Sequence, residues 1–134
     1  MKRIILGLFI GLGLMGCAAT NDLINNQYMS TENTESNVVG NWTGNNGPYL
    51  VTYKFNKDGT GVSCYSYGAT NTLERFKVNG NTMILQTGIK QTIESYTANK
   101  LILKANYYGG AKYVYQPDPD LKLSSPYCEQ ELKK

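Results

Sequence analysis

From Val38 onward the chain is written in short runs of alternating apolar and polar residues, cut by Gly, Asn and Asp. The interruptions recur at about 8–12 residues, the spacing of an all-β barrel or sandwich. No helical period of useful length follows the N-terminal segment. The runs predict strands at Val39–Thr43, Tyr49–Asn56, Thr60–Tyr67, Thr72–Val78, Thr82–Thr87, Lys90–Tyr96, Lys100–Asn106 and Lys112–Gln116. Turn chemistry then sets the registers. A two-residue Asp58-Gly59 turn would pair Phe55 with Val62, Tyr53 with Cys64 and Val51 with Ser66, with Thr52 and Tyr65 on the other face. At Asn79-Gly80-Asn81, either two-residue placement keeps Phe76, Val78, Met83 and Leu85 together and sends Arg75 and Lys77 outward. A three-residue Thr97-Ala98-Asn99 loop would pair Ile93 with Leu103 and Ser95 with Leu101.

Eight sequential antiparallel strands with one apolar face most simply close as a small up-and-down barrel, which also removes exposed edges. Such a barrel is just wide enough to be filled by side chains or to hold one small ligand. A β-sandwich is the alternative. Gly40-Asn41-Trp42, the Phe55-x-x-Asp58-Gly59-Thr60-Gly61 turn and Asn99-Lys100-Leu101-Ile102-Leu103 resemble the small lipocalin-like domains of bacterial lipoproteins. The resemblance covers residues 38–116 and implies a lipocalin-like barrel; Trp42 reads as a core plug at the barrel bottom, with a ligand contact as the alternative.

The N-terminus has the layout of a secretory signal peptide. Lys2 and Arg3 precede an apolar run, Ile4–Leu14, that is too short for a permanent membrane helix. Leu14-Met15-Gly16-Cys17 resembles the bacterial lipobox, with Met15 in place of the commoner small residue. The resemblance implies cleavage after residue 16, acylation of Cys17 and attachment to a lipid bilayer by three chains; two chains already give stable anchoring. Ala18 after the Cys resembles the outer-membrane sorting pattern, whereas a Gram-positive owner would hold the protein on its cytoplasmic membrane. An ordinary signal peptide with a chance Cys is the competing reading. Residues 17–37, polar and without period, read as the acylated Cys followed by a flexible linker of about 25 Å mean reach. A short helix around Asp22–Gln27 is the alternative.

The chain contains no His and three Cys, so no Ser–His or Cys–His nucleophile and no His-containing zinc site can be built. Its 13 Lys and Arg against 10 Asp and Glu, without a basic run, do not point to nucleic acid. Two of those bases, Lys2 and Arg3, leave with the signal peptide. In an oxidising compartment Cys64 and Cys128 are expected to form a disulfide that pins a C-terminal tail, residues 117–134, to the third strand. Two free thiols, or metal ligation with Asp118 and Asp120, are the alternatives; those carboxylates otherwise read as solvated turn residues.

Eleven Tyr are the compositional oddity. Tyr53, Tyr65, Tyr67, Tyr108, Lys112 and Tyr113 form a candidate contact set for a ligand or partner, because Tyr offers rigid area with one polar handle. Strand propensity alone is the competing explanation. Tyr108-Gly109-Gly110-Ala111-Lys112-Tyr113 is similar to the loop that membrane-bound inhibitors of c-type lysozyme insert into their target, although Gly109 replaces a serine and the downstream Trp segment is missing. These residues predict a monomeric, non-enzymatic outer-membrane lipoprotein with no cofactor and no metal. It would bind a small apolar ligand or an envelope protein, and lysozyme inhibition through Gly109–Tyr113 is the alternative.

Overall fold

The alternating runs form strands almost where the turn residues delimit them. The computed structural model describes residues 21–107 and 109–134. The expected signal peptide, the lipobox with Cys17, and Tyr108 lie outside these residues. In order, the strands are β1 (Gly40–Asn46), β2 (Tyr49–Phe55), β3 (Thr60–Tyr67), β4 (Thr70–Asn79), β5 (Thr82–Leu85), β6 (Lys90–Tyr96), β7 (Leu101–Ala105) and β8 (Lys112–Pro117). Each pairs antiparallel with the next, and β8 returns to β1 through Trp42–Pro117, Thr43–Gln116 and Gly44–Tyr115. That seam closes the sheet into an eight-stranded up-and-down barrel and sets the β-sandwich alternative aside. Closure leaves every strand with two neighbours and no edge for another chain to extend.

Pattern and turn agree at β4–β5, where Val78 pairs with Met83 and Phe76 with Leu85 across Gly80-Asn81. At β2–β3 the register differs by one residue from the expected one. The loop is Lys57-Asp58-Gly59, closed by a hydrogen bond from Asn56 N to Thr60 O, and Gly59 takes a positive φ of 88°. A third loop residue in the left-handed region is the usual three-residue hairpin solution. Phe55 therefore pairs with Gly61, Tyr53 with Ser63 and Val51 with Tyr65. Tyr65 points into the barrel and Cys64 points out, the reverse of the expectation from the turn. Gly61 is required by the same register: a Cβ there would lie 2.1 Å from the Phe76 ring.

At β6–β7 the expected Ile93–Leu103 pair forms, but a bulge between Ile93 and Ser95 shifts the rest, so that Ser95 pairs with Ile102 and Tyr96 with Leu101. The turn is consequently Ala98-Asn99, one residue shorter than expected, closed by Thr97 N to Lys100 O. A bulge supplies the extra residue that the turn omits.

Inside, Trp42, Val51, Tyr53, Phe55, Phe76, Met83, Leu101, Leu103 and Tyr115 are buried in one cluster. The Tyr53 ring lies 5.2 Å from that of Tyr115 and 5.9 Å from that of Phe76, both edge-on, and Phe55 lies 5.0 Å from Phe76. These edge-to-face contacts fill the waist of the barrel with its own side chains. Trp42 donates its indole N–H to Val39 O, consistent with a plug at the start of β1.

Two segments lie on the outside. Residues 21–37, expected to form part of a flexible tether, are instead laid along β4, β5 and β6. They begin in a helical turn at residues 21–24, closed by Asn25 N to Asn21 O, close to the alternative short helix. Lys77 Nζ donates to the carbonyls of Tyr28 and Thr31 and sits 4.5 Å from the centre of the Tyr28 ring. Thr34 N bonds Val78 O, and Ser36 N bonds Lys57 O. The polar composition did not require disorder, because the barrel supplies the hydrogen-bond partners. Ile84, which faces outward on β5, is buried.

The C-terminal tail covers β1–β3. It ends in helix α1 (Pro126–Leu132), which the hydrophobic pattern did not announce; Ser125 caps its N-terminus by accepting from Cys128 N, and Pro126 opens the first turn. Cys64 and Cys128 are joined by a disulfide. They form a second core with Leu121 and Leu132, against which Val62 and Tyr127 pack.

Candidate functional site

An up-and-down barrel has two ends. The loops β1–β2, β3–β4, β5–β6 and β7–β8 share one, called the mouth here. β1 enters from the other end. Because Val51, Tyr53 and Phe55 face inward, Tyr49 and its cross-strand neighbours on β3 lie on the same face nearer the mouth. This produces a ladder of rings rising out of the core. Tyr53 is 0% exposed, Tyr65 is half-buried, Tyr49 is 43% exposed and Tyr67 is 56% exposed. Successive centroids are 6.3 Å apart from Tyr53 to Tyr65, 6.5 Å from Tyr65 to Tyr49 and 5.5 Å from Tyr49 to Tyr67.

Hydroxyls accompany the rings. Tyr53 Oη lies 3.3 Å from Tyr65 Oη and 3.3 Å from Nε2 of Gln91, an inward residue of β6. Tyr115 donates its hydroxyl to Asn46 Oδ1 at the β1–β2 loop. Burial pushes the Tyr65 and Tyr115 phenols well up, and the neighbouring Tyr53 adds to both. Tyr107 is pushed up to about 12 by burial and by its hydrogen bond to Asp22. All three are neutral donors at pH 7. The mouth can therefore offer ring surface and hydroxyls to a partner, a combination suited to amphipathic matter.

The expected contact set divides accordingly. Tyr53, Tyr65 and Tyr67 are brought together. Tyr113 faces inward on β8 and packs against the core. Lys112 faces outward, with Nζ 2.5 Å from Glu94 Oε1. Both already belong to β8, and β7–β8 closes behind them through Ala105 N to Ala111 O and Gly110 N to Tyr107 O. The Lys112–Tyr113 pair is thus split between the two faces of a strand rather than displayed on a protruding loop. Tyr108 and Cys17 lie outside the described residues.

Asp118 is not the solvated turn carboxylate it resembles in sequence. It is buried, accepts from Thr43 Oγ1 and Ser124 Oγ at 2.8 Å each, and accepts from Leu123 N at 3.0 Å. Burial raises its pKa, but these hydrogen bonds outweigh it and hold the carboxyl below the usual range. Among the described residues no group of three or more acidic or thiol side chains could hold a metal. One groove of about 330 Å³ lies outside the barrel, between α1 and β2–β4, lined by Lys54, Val62, Leu73, Arg75 and Leu132 among others.

Tyr49, Gln91 and Asn46 belong to the mouth but were not singled out from sequence. Reading Gly59 as the third residue of its loop would have placed Tyr65 and Tyr49 on the inner face and exposed the ladder. Gln91 gives less signal, since a lone inward polar residue near a strand start looks like ordinary alternation.

The family described as bacterial lipocalin LPS transport optimiser YedD matches residues 25–132, well over half of the chain, and the chain belongs to that family. No curated protein and no solved structure gives a significant match.

Proposed function

We propose that this member of the YedD lipocalin family is an acyl-anchored envelope protein that supports lipopolysaccharide transport through a contact made at its barrel mouth. The attachment point is Cys17, and the sorting residue Ala18 favours the outer membrane. The observation that carries the reading is the position of the tyrosines. The waist of the barrel is occupied by Tyr53, Phe55, Phe76 and Tyr115, whereas Tyr49 and Tyr67 stand exposed at the rim. A small apolar ligand is engaged against Tyr49, Tyr65 and Tyr67. The hydroxyls of Tyr53, Tyr65 and Gln91's amide provide the polar complement. The protein's part in this is attachment and contact, which neutral phenols supply.

The test is genetic and physical together. In the owner bacterium, deletion is expected to lower surface lipopolysaccharide and raise sensitivity to large apolar antibiotics, and Tyr49→Ala with Tyr67→Ala is expected to reproduce both. The purified variant should unfold close to the parent, because both side chains are substantially exposed. Full complementation by the double variant would refute the rim as the working surface.

A further inference from the structure

The four mouth loops contain no charged residue: Asn45-Asn46-Gly47-Pro48-Tyr49, Tyr67-Gly68-Ala69-Thr70, Gln86-Thr87-Gly88-Ile89 and residues 106–111, Asn-Tyr-Tyr-Gly-Gly-Ala. The opposite end carries Lys57, Asp58 and Lys100 in its loops, followed by Asp118, Asp120 and Lys122 in the tail. The N-terminal segment joins the two ends. Asn26 Nδ2 donates to Gln86 O, and Tyr107 donates to Asp22 Oδ2, both at the mouth. Some ten residues later Asn33 Nδ2 reaches Asp58 O and Thr34 N reaches Val78 O, both at the far end. The chain therefore meets the barrel first at its mouth, although β1 starts at the other end. Leu23 and Ile24, beside the mouth, are 49% and 73% exposed.

We propose that this docked segment seats the barrel mouth-first on the phospholipid leaflet that holds the acyl anchor, with Leu23, Ile24, Tyr49 and Tyr67 lying at the interface. The proposal rests on the anchoring at Cys17 proposed above. Four residue steps separate Cys17 from Asn21, and they span at most about 14 Å even when fully extended. Were residues 21–37 free, the 23 steps to Gly40 would span up to about 80 Å and would fix no orientation. Docking shortens the leash and selects the end that faces the lipid. The mouth is chemically suited to that position, since Tyr sits comfortably at headgroup level and loops without charge have no ions to desolvate on approach. The charged groups that flank the loops are already engaged: Asp22 accepts from the Tyr107 hydroxyl and Glu74 from Thr87 N, while Lys90 is held by Gln27 and Lys112 by Glu94. A leaflet is favoured over a protein partner here because the anchor necessarily brings the leaflet within reach.

The experiment uses the full chain, expressed with its signal peptide and reconstituted into phosphatidylethanolamine–phosphatidylglycerol vesicles containing a headgroup nitroxide lipid. A fluorophore is placed through Ala69→Cys or Thr70→Cys at the mouth and through Lys57→Cys or Asn81→Cys at the far end; all four positions are outside both cores. Quenching is expected to be several-fold stronger at the mouth positions. Equal quenching, or stronger quenching at the far end, in a sample that floats with the vesicles would overturn the orientation while leaving the anchor intact. A chain that does not float removes the anchor, and the proposal with it. Mouth positions that stay unquenched in vesicles but are shielded in native membranes would assign the mouth to a protein partner instead. Lys77→Met combined with Asn26→Ala should float equally and lose most of the difference between the ends; a difference that persists would deny the segment its role.

Discussion

Both ends of the chain are strapped to the outside of the same barrel, but by different physics. The C-terminal tail is held by a disulfide, an apolar cluster of Leu121, Cys128 and Leu132, and a buried polar set in which Asp118, Thr43, Thr52 and Ser124 bond one another. Leu121 even accepts a positive φ of 60°, a conformation costing a bulky residue about 1–3 kcal/mol, in exchange for burial in that cluster. The N-terminal segment has little of this. Its anchors are side-chain bonds to carbonyls, chiefly from Lys77, Asn79 and Asn26, with Ile84 beneath it. Covalent and apolar attachment fixes the tail as part of the fold. Hydrogen-bonded attachment makes the N-terminal segment the more separable of the two straps.

The largest expected effect lies on the tail. Replacing Cys64 and Cys128 together by Ser opens a loop whose ends are 64 residues apart. Loop-closure entropy sets the loss at about 4 kcal/mol, measurable as a lower denaturant midpoint with early proteolysis after Pro117. Asp118→Ala comes next, removing a charged acceptor of three hydrogen bonds, at about 2–3 kcal/mol. The same carboxyl gives a pH signature. Its folded pKa is depressed, so its contribution is fully present above the ordinary value of 3.8 and is lost as pH falls through the folded value. Stability of the parent should therefore drop more steeply below pH 4 than that of Asp118→Asn. A parallel decline in the two proteins would remove Asp118 from the account.

On the N-terminal side, Lys77→Met should cost about 1–2 kcal/mol, felt locally. Amide exchange over residues 28–34 should accelerate while β1–β8 stays protected. If global unfolding is destabilised as strongly as by the disulfide variant, the two straps are not different in kind. Smallest of all, Lys112→Ala removes an ion pair whose side chains are 55% and 32% exposed. A barely measurable change in the denaturant midpoint is expected at low salt, and none at high salt.

The barrel was legible because its information is local. Alternation and the Gly-Asn turn name Phe76, Val78, Met83 and Leu85 as one face without reference to anything distant. The single-residue errors at Lys57–Gly59 and at the Glu94 bulge arise where a turn and a register trade one residue, which two-state alternation cannot resolve. The straps were hidden for a different reason. Residues 21–37 bind through backbone carbonyls, which every sequence possesses, and Asp118 is buried only because Thr43 and Ser124 arrive from elsewhere in the chain. The disulfide was readable from cysteine number and the expectation of an oxidising compartment; that Cys64 faces outward, and so recruits a helix rather than the barrel core, depended on the register. Of the mouth, Tyr53, Tyr65 and Tyr67 were visible as composition, while their stacking with Tyr49 followed only from the corrected pairing.

The central claim is that partners are met at the rim of a barrel filled by its own side chains. Native mass spectrometry of the full chain purified from its envelope, alongside Tyr49→Ala with Tyr67→Ala, tests it most directly. The expected result is a polypeptide with nothing bound beyond the acyl chains proposed at Cys17, or with a molecule that is lost from the double variant. A one-to-one bound molecule that survives removal of both rim tyrosines would place the ligand inside the barrel and contradict the account.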